Sequence, residues 1–149
     1  MSKLHRFSKA QFAVMFTLIV LVLLGAMGMC TDMAVLYLEW GRLQKAADAG
    51  ALAGAGYLTG NPATTNTQMV VAHATEYVQR NGIAQSEIVE IAPAADARSV
   101  TVVVMRDVPY YFFKMIGLTR AKVAVKAVAG VFPTTAACGV LPFGVQCTD

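Results

Sequence analysis

The sequence predicts an α+β protein: a single N-terminal transmembrane helix extended into a long stalk helix, then a second helix and a small antiparallel sheet. Three observations predict it. Residues 10–31 carry no charge, the helical period runs on past Asp32 with no proline before Pro62, and beyond Gly82 the apolar period changes from helical to two. Composition agrees, since 56% hydrophobic residues, a mean hydropathy of +0.55 and only 14% charged residues are too apolar for an ordinary soluble domain of 149 residues.

The uncharged run AQFAVMFTLIVLVLLGAMGMCT would cover about 33 Å as a helix, enough to cross a bilayer. Its threonines, Thr17 and Thr31, can return their hydroxyls to carbonyls of the same helix. The formal charge of +3 is carried entirely by Lys3, Arg6 and Lys9, because residues 11–149 have nine basic and nine acidic side chains. These three residues are the topology signal: they place residues 1–9 in the cytoplasm as a basic tail, 10–31 in the membrane and 32–149 outside. The neutral remainder has no surplus cation for phosphates, which disfavours a nucleic-acid partner. A cleaved signal peptide ending near Ala26-Met27-Gly28 competes with the anchor; the length of the span and the helix continuing beyond it favour the anchor. A lipoprotein reading fails at Met29, which is too large to precede a lipidated cysteine, and some 118 remaining residues are few to bury the run in a soluble core.

Residues 32–58 form the stalk. Leu36, Trp40, Leu43, Ala47, Gly50, Gly54 and Tyr57 recur in steps of four and three and trace one stripe. Glu39, Arg42, Lys45 and Asp48 lie off it, and Glu39 can pair with Arg42 across one turn. Tyr37 and Trp40 sit where rings mark the headgroup level. Eight of the ten residues 46–55 are Ala or Gly, so Ala46, Ala47, Gly50 and Gly54 offer a helix-packing surface. It would serve a partner helix, a second copy or the chain's own sheet; an alanine-rich helix selected for propensity is the competing reading, which the glycines work against.

Residues 65–132 form a small α+β domain. Gly60-Asn61-Pro62 breaks the stalk, Thr65 with Gln68 resembles a capping box for a second helix, and Asn81-Gly82-Ile83 has the order of a left-handed cap. Val70, Ala74, Tyr77 and Val78 share its inward face. EIVEIA (87–92) and SVTVVVMRDV (99–108) read as a hairpin, and in 121–132 Lys122, Ala124 and Lys126 alternate with Val123, Val125 and Ala127, one face wet and one buried. Tyr110, Tyr111, Phe112 and Phe113 make either an exposed contact patch or core, and the shortage of other large side chains favours core for most of them. Residues 133–149 are a tail in which Cys138 and Cys147 are candidates for a disulfide or two unpaired thiols.

The chain offers no convincing catalytic set, so no catalytic, cofactor-binding or metal residue is assigned, and neither enzyme activity nor a small-molecule substrate is expected. His73 has only Glu76 one turn away, a pair more often a surface contact than an acid–base couple. No Walker loop, GxSxG or HExxH occurs. Cys30 reads as a small apolar residue at the outer edge of the span. Asp32 reads as a marker of the interface, with pairing to an assembly partner as the alternative.

Asp32, then RLQKAADA (42–49) and LAGA (52–55), resemble the amino-terminal signature of TadE/TadG-like proteins of the tight adherence (Tad/Flp) pilus assembly system, and Gln11-Phe12-Ala13-Val14 is similar to that family's start of the span. Asn81-Gly82, Val108-Pro109 with Phe112-Phe113 and Gly117, and 123–129 resemble the layout of TadG-like outer domains, so the likeness spans residues 7–132. It implies a membrane-anchored, non-catalytic pilus-assembly component of the bacterial inner membrane. Such a protein is single-pass, with a cytoplasmic N-terminus and a periplasmic domain, and its partners are the bilayer and other pilus-assembly proteins. Prepilin-type members are trimmed before a segment with Glu at its fifth position. Counting from Gln11 the fifth residue here is Met15, which counts against a cleaved minor pilin or pseudopilin. Longer TadG-like proteins add a von Willebrand type A domain, so a short member and a piece of a longer chain both stay open. A tethered periplasmic binding module unrelated to pili is the reading from a different class.

Overall fold

The computed structural model describes residues 4–132 and, from Gln11 onward, their side chains. Helix α1 (Leu4–Ala55) runs 52 residues without interruption, about 78 Å at the α-helical rise. Nothing in its sequence stops it earlier, since it holds no proline and its glycines are spaced among strong helix formers. Thr17 and Thr31 return their hydroxyls to the carbonyls of Ala13 and Met27 at 2.9 and 3.0 Å, as expected.

Helix α2 (Thr67–Arg80) folds back on the far half of α1. Its N-cap is Asn66, whose Oδ1 accepts from the amides of Gln68 and Met69, which corrects the expected Thr65–Gln68 capping box. With Asn66 as cap the reciprocating position falls on Met69, which has nothing to return, and Thr65 is engaged elsewhere, 2.6 Å from the Thr59 hydroxyl. At the other end Gly82 takes φ +82° and Ile83 is buried, the expected left-handed stop. Val70, Ala74 and Val78 face inward; Tyr77 stays 41% exposed and does not join them.

After a short 3-10 turn (Gln85–Glu87) come β1 (Ile88–Pro93), β2 (Ser99–Pro109) and β3 (Arg120–Gly130), an antiparallel meander in the order β1-β2-β3. The β2–β3 register is regular from Ser99↔Gly130 to Pro109↔Arg120, while β1 slips between Ile88 and Glu90. A second 3-10 turn (Phe113–Ile116) lies in the β2–β3 connection. The strict alternation of β2 buries Val100, Val102 and Val104 and leaves Thr101, Val103 and Met105 on the outer face. In β3 Val125 and Ala127 are buried while Lys122, Ala124 and Lys126 are exposed.

The molecule is thus α+β in two layers, both helices covering one face of the sheet. Leu43, Ala46, Ala47 and Ala51 of α1 meet Ala74 and Val78 of α2 and Val102, Val104, Val125 and Ala127 of the sheet; Ala55, Leu58, Val70 and Val100 form a second cluster. The buried stripe of α1 differs from the expected one. Trp40 and Tyr57 are 45% and 42% exposed, while Ala46, Ala51 and Ala55 are inside. Backbones this close leave no room for a ring, so the small residues take the contact.

Candidate functional site

Of the nine residues assigned above to topology, helix packing or a disulfide, Lys3, Cys138 and Cys147 lie outside the described residues, and Arg6 and Lys9 stand in the first turns of α1. The remaining four form one strip. Ala46 and Ala47 are fully buried, and Gly50 and Gly54 oppose α2. A Cβ on Gly50 would overlap the Val78 side chain and lie 3.0 Å from the Ala74 carbonyl; one on Gly54 would lie 3.2 Å from Ala74 Cβ and from the Val70 carbonyl. The occupants of this strip are the chain's own second helix and sheet.

A site that sequence reasoning missed lies at the other end of the domain. Asp32, taken above for an interface marker, is 1% exposed and its carboxylate accepts three backbone N–H groups, from Tyr111 at 2.9 Å, Phe112 at 2.9 Å and Phe113 at 2.7 Å. Burial alone would raise this carboxyl, but the three amides, Phe113 foremost, outweigh it and hold the group below the usual carboxylate range. One turn earlier, Gly28 admits the Phe112 ring where any Cβ would overlap it. Asp32 and Gly28 therefore clamp the β2–β3 connection onto α1. The aromatics expected in the core are split by this clamp. Tyr110 and Phe113 stack edge to face at 5.1 Å and are half-buried, while Tyr111 and Phe112 are exposed. The reason is position, since a hairpin tip held against a lone helix has no second layer to bury it.

Arg106 is the second residue that composition did not single out. Its guanidinium donates to both Glu87 oxygens (Nη2 at 2.8 Å), to Glu39 at 2.9 Å and to the Gly82 carbonyl at 3.2 Å. Glu87 also accepts from the Ala84 amide. Those Arg106 hydrogen bonds hold Glu87 below its ordinary value against the opposing effect of burial, and the same bonds raise Arg106. Glu39 pairs with Arg42 as expected, at 2.6 Å, but it is half-buried because it also meets Arg106 from the sheet. One planar cation thus joins α1, the 82–87 turn and β2.

Between α1 and α2 a groove of about 500 Å³ is lined by Ala49, Ala53, Tyr57, His73, Tyr77 and Arg80. The rings of Tyr57 and His73 stack at 4.1 Å, and Glu76 lies 3.4 Å from His73 and 2.6 Å from Arg80. The carboxylate is engaged by Arg80, and the imidazole meets no nucleophile or second ligand; among the described residues no three His, Cys, Asp or Glu are grouped to hold a metal ion. The arrangement is a wall of contacts between two helices.

Residues 10–56 match the family model described as putative Flp pilus-assembly TadE/G-like. Nothing among curated proteins or solved structures matches the chain. The matched residues take in the apolar run, Asp32, Glu39 and the Ala/Gly strip, and they stop where α1 gives way to the outer domain.

Proposed function

From a chain that is TadE/TadG-like over residues 10–56, we propose a non-catalytic, single-pass component of Tad/Flp-type pilus assembly. Its N-terminus is cytoplasmic, its α+β domain periplasmic, and it acts through protein–protein contacts. The observation that carries this reading is the bare half of α1. From Gln11 to Met27 the helix exposes Phe12, Phe16, Leu18, Leu21, Val22 and their neighbours, with no other part of the described chain laid against them. So large an apolar surface requires an apolar solvent, and the bilayer core supplies it at the matching length.

Lys3, Arg6 and Lys9 orient the span, and the Ala46–Gly54 strip ties the outer domain to it, leaving the outer faces of α2 and the sheet for partners.

Membrane fractions with protease access from each side test the anchor. The protein should resist alkaline extraction, keep Met1 or Ser2 as its terminus and lose its C-terminal domain only to protease on the outer side. Cleavage near Ala10 would instead identify a pilin, and cleavage near Gly28 a secreted domain. Deletion should abolish surface pili and adherence, and normal piliation would overturn the assembly role.

A further inference from the structure

Resting on the membrane-anchored reading, we propose that the β2–β3 connection is a second membrane contact, a short foot that enters the outer-facing leaflet beside the helix. Strand β2 runs back along α1, its Val100 end packing near Ala55 and Leu58 and its Pro109 end reaching Asp32, so the hairpin tip points at the apolar run. The tip is fixed there. Three amides bind the Asp32 carboxylate, the Phe112 ring fills the notch at Gly28, and the neck closes with the Tyr110 amide on the Thr119 carbonyl at 3.0 Å. Gly28 lies within the uncharged run, so the Phe112 ring sits about one helical turn below the point where that run ends.

What the tip presents to its surroundings is apolar. Met115 is 86% exposed, Ile116 68%, Tyr111 63% and Leu118 50%. The exposed side chains of Met29 and Met33 on α1 lie at the same level as the clamp. An aromatic and three aliphatic side chains clustered in eight residues suit the border of hydrocarbon and headgroups, and Lys114 supplies a cation for lipid phosphates. The occupant is the bilayer rather than a protein groove because the clamp holds the patch against the flank of a helix that itself faces lipid.

The full chain with Trp40→Phe, reconstituted in phosphatidylethanolamine–phosphatidylglycerol vesicles, isolates one indole at a time, since Trp40 is the only tryptophan. Met115→Trp should give blue-shifted emission quenched by lipids brominated near the headgroup end of the acyl chain. Ile116→Trp should repeat the result at a second exposed position. Val128→Trp, on the outer face at the far end of β3, should stay unquenched. If Leu21→Trp, at mid-span, is quenched by lipids brominated near the end of the acyl chain and neither tip indole is quenched at its own depth, the foot is overturned and a protein cover is indicated. If Leu21→Trp is also unquenched, the anchor itself fails.

Discussion

Two charged side chains connect the elements of this protein at the residue scale, and both act by meeting several backbone or charged groups at once. Arg106 satisfies two half-buried carboxylates and a carbonyl, so its removal leaves Glu87 without a cation and Glu39 with Arg42 alone. Arg106→Leu should cost about 1–3 kcal/mol in a denaturant titration of the full chain in micelles, and Arg106→Lys should recover only part of it, because an ammonium cannot reproduce the fork. The pH dependence has a definite sign. Asp32 and Glu87 both titrate lower in the folded protein than in the unfolded chain. The stability they add is therefore complete above the unfolded carboxylate range, about 3.9–4.3, and is lost as pH falls through the lower folded values. The unfolding midpoint should stay level from neutral pH to about 5 and drop below about 4, with Glu87→Gln removing part of the drop. Neither hub was legible beforehand. Arg106 sits in a strand pattern as one polar residue among others, and its partners are 19 and 67 positions away. Asp32 was visible, but its partners are backbone amides, which carry no side-chain signature.

Among the elements, periodicity carried what could be read in advance. The unbroken α1, the second helix and the alternation of β2 and β3 all follow from the spacing of apolar residues. The orientation of the α1 stripe did not, because the size of a side chain argues for Trp40 and Tyr57 while close helix contact selects Ala and Gly. That selection yields a paired test. Gly41 has open space around it, so Gly41→Ala should stabilise the helix by up to about 1 kcal/mol through propensity. Gly50→Ala gains the same propensity but drives a methyl into Val78 and toward the Ala74 carbonyl, and overpacking of about 1–3 kcal/mol should win. Thermal melts by circular dichroism would show opposite shifts, and equal shifts would mean that α2 can retreat without cost. At the hairpin tip, Asp32→Asn should speed amide exchange at Tyr111, Phe112 and Phe113 while leaving the middle of β2 protected.

As a whole molecule the chain is one helix serving two surroundings. Its far half shares a core with α2 and the sheet, so these parts should unfold together. Leu43→Ala, at a fully buried position in the main cluster, should cost about 2–5 kcal/mol and shift helix and sheet signals by the same amount. The near half touches none of that core, and its helicity in micelles should survive the transition. In the anchored orientation the unbroken passage from one half to the other has a mechanical result. A membrane helix commonly leans by about 20°, and from Thr31 to Ala55 a straight shaft turns that lean into a sideways swing of about 12 Å at its far end. With no hinge in α1, lateral force on the outer domain is felt as torque inside the bilayer, and a hairpin braced on lipid at the base would act as an outrigger against it.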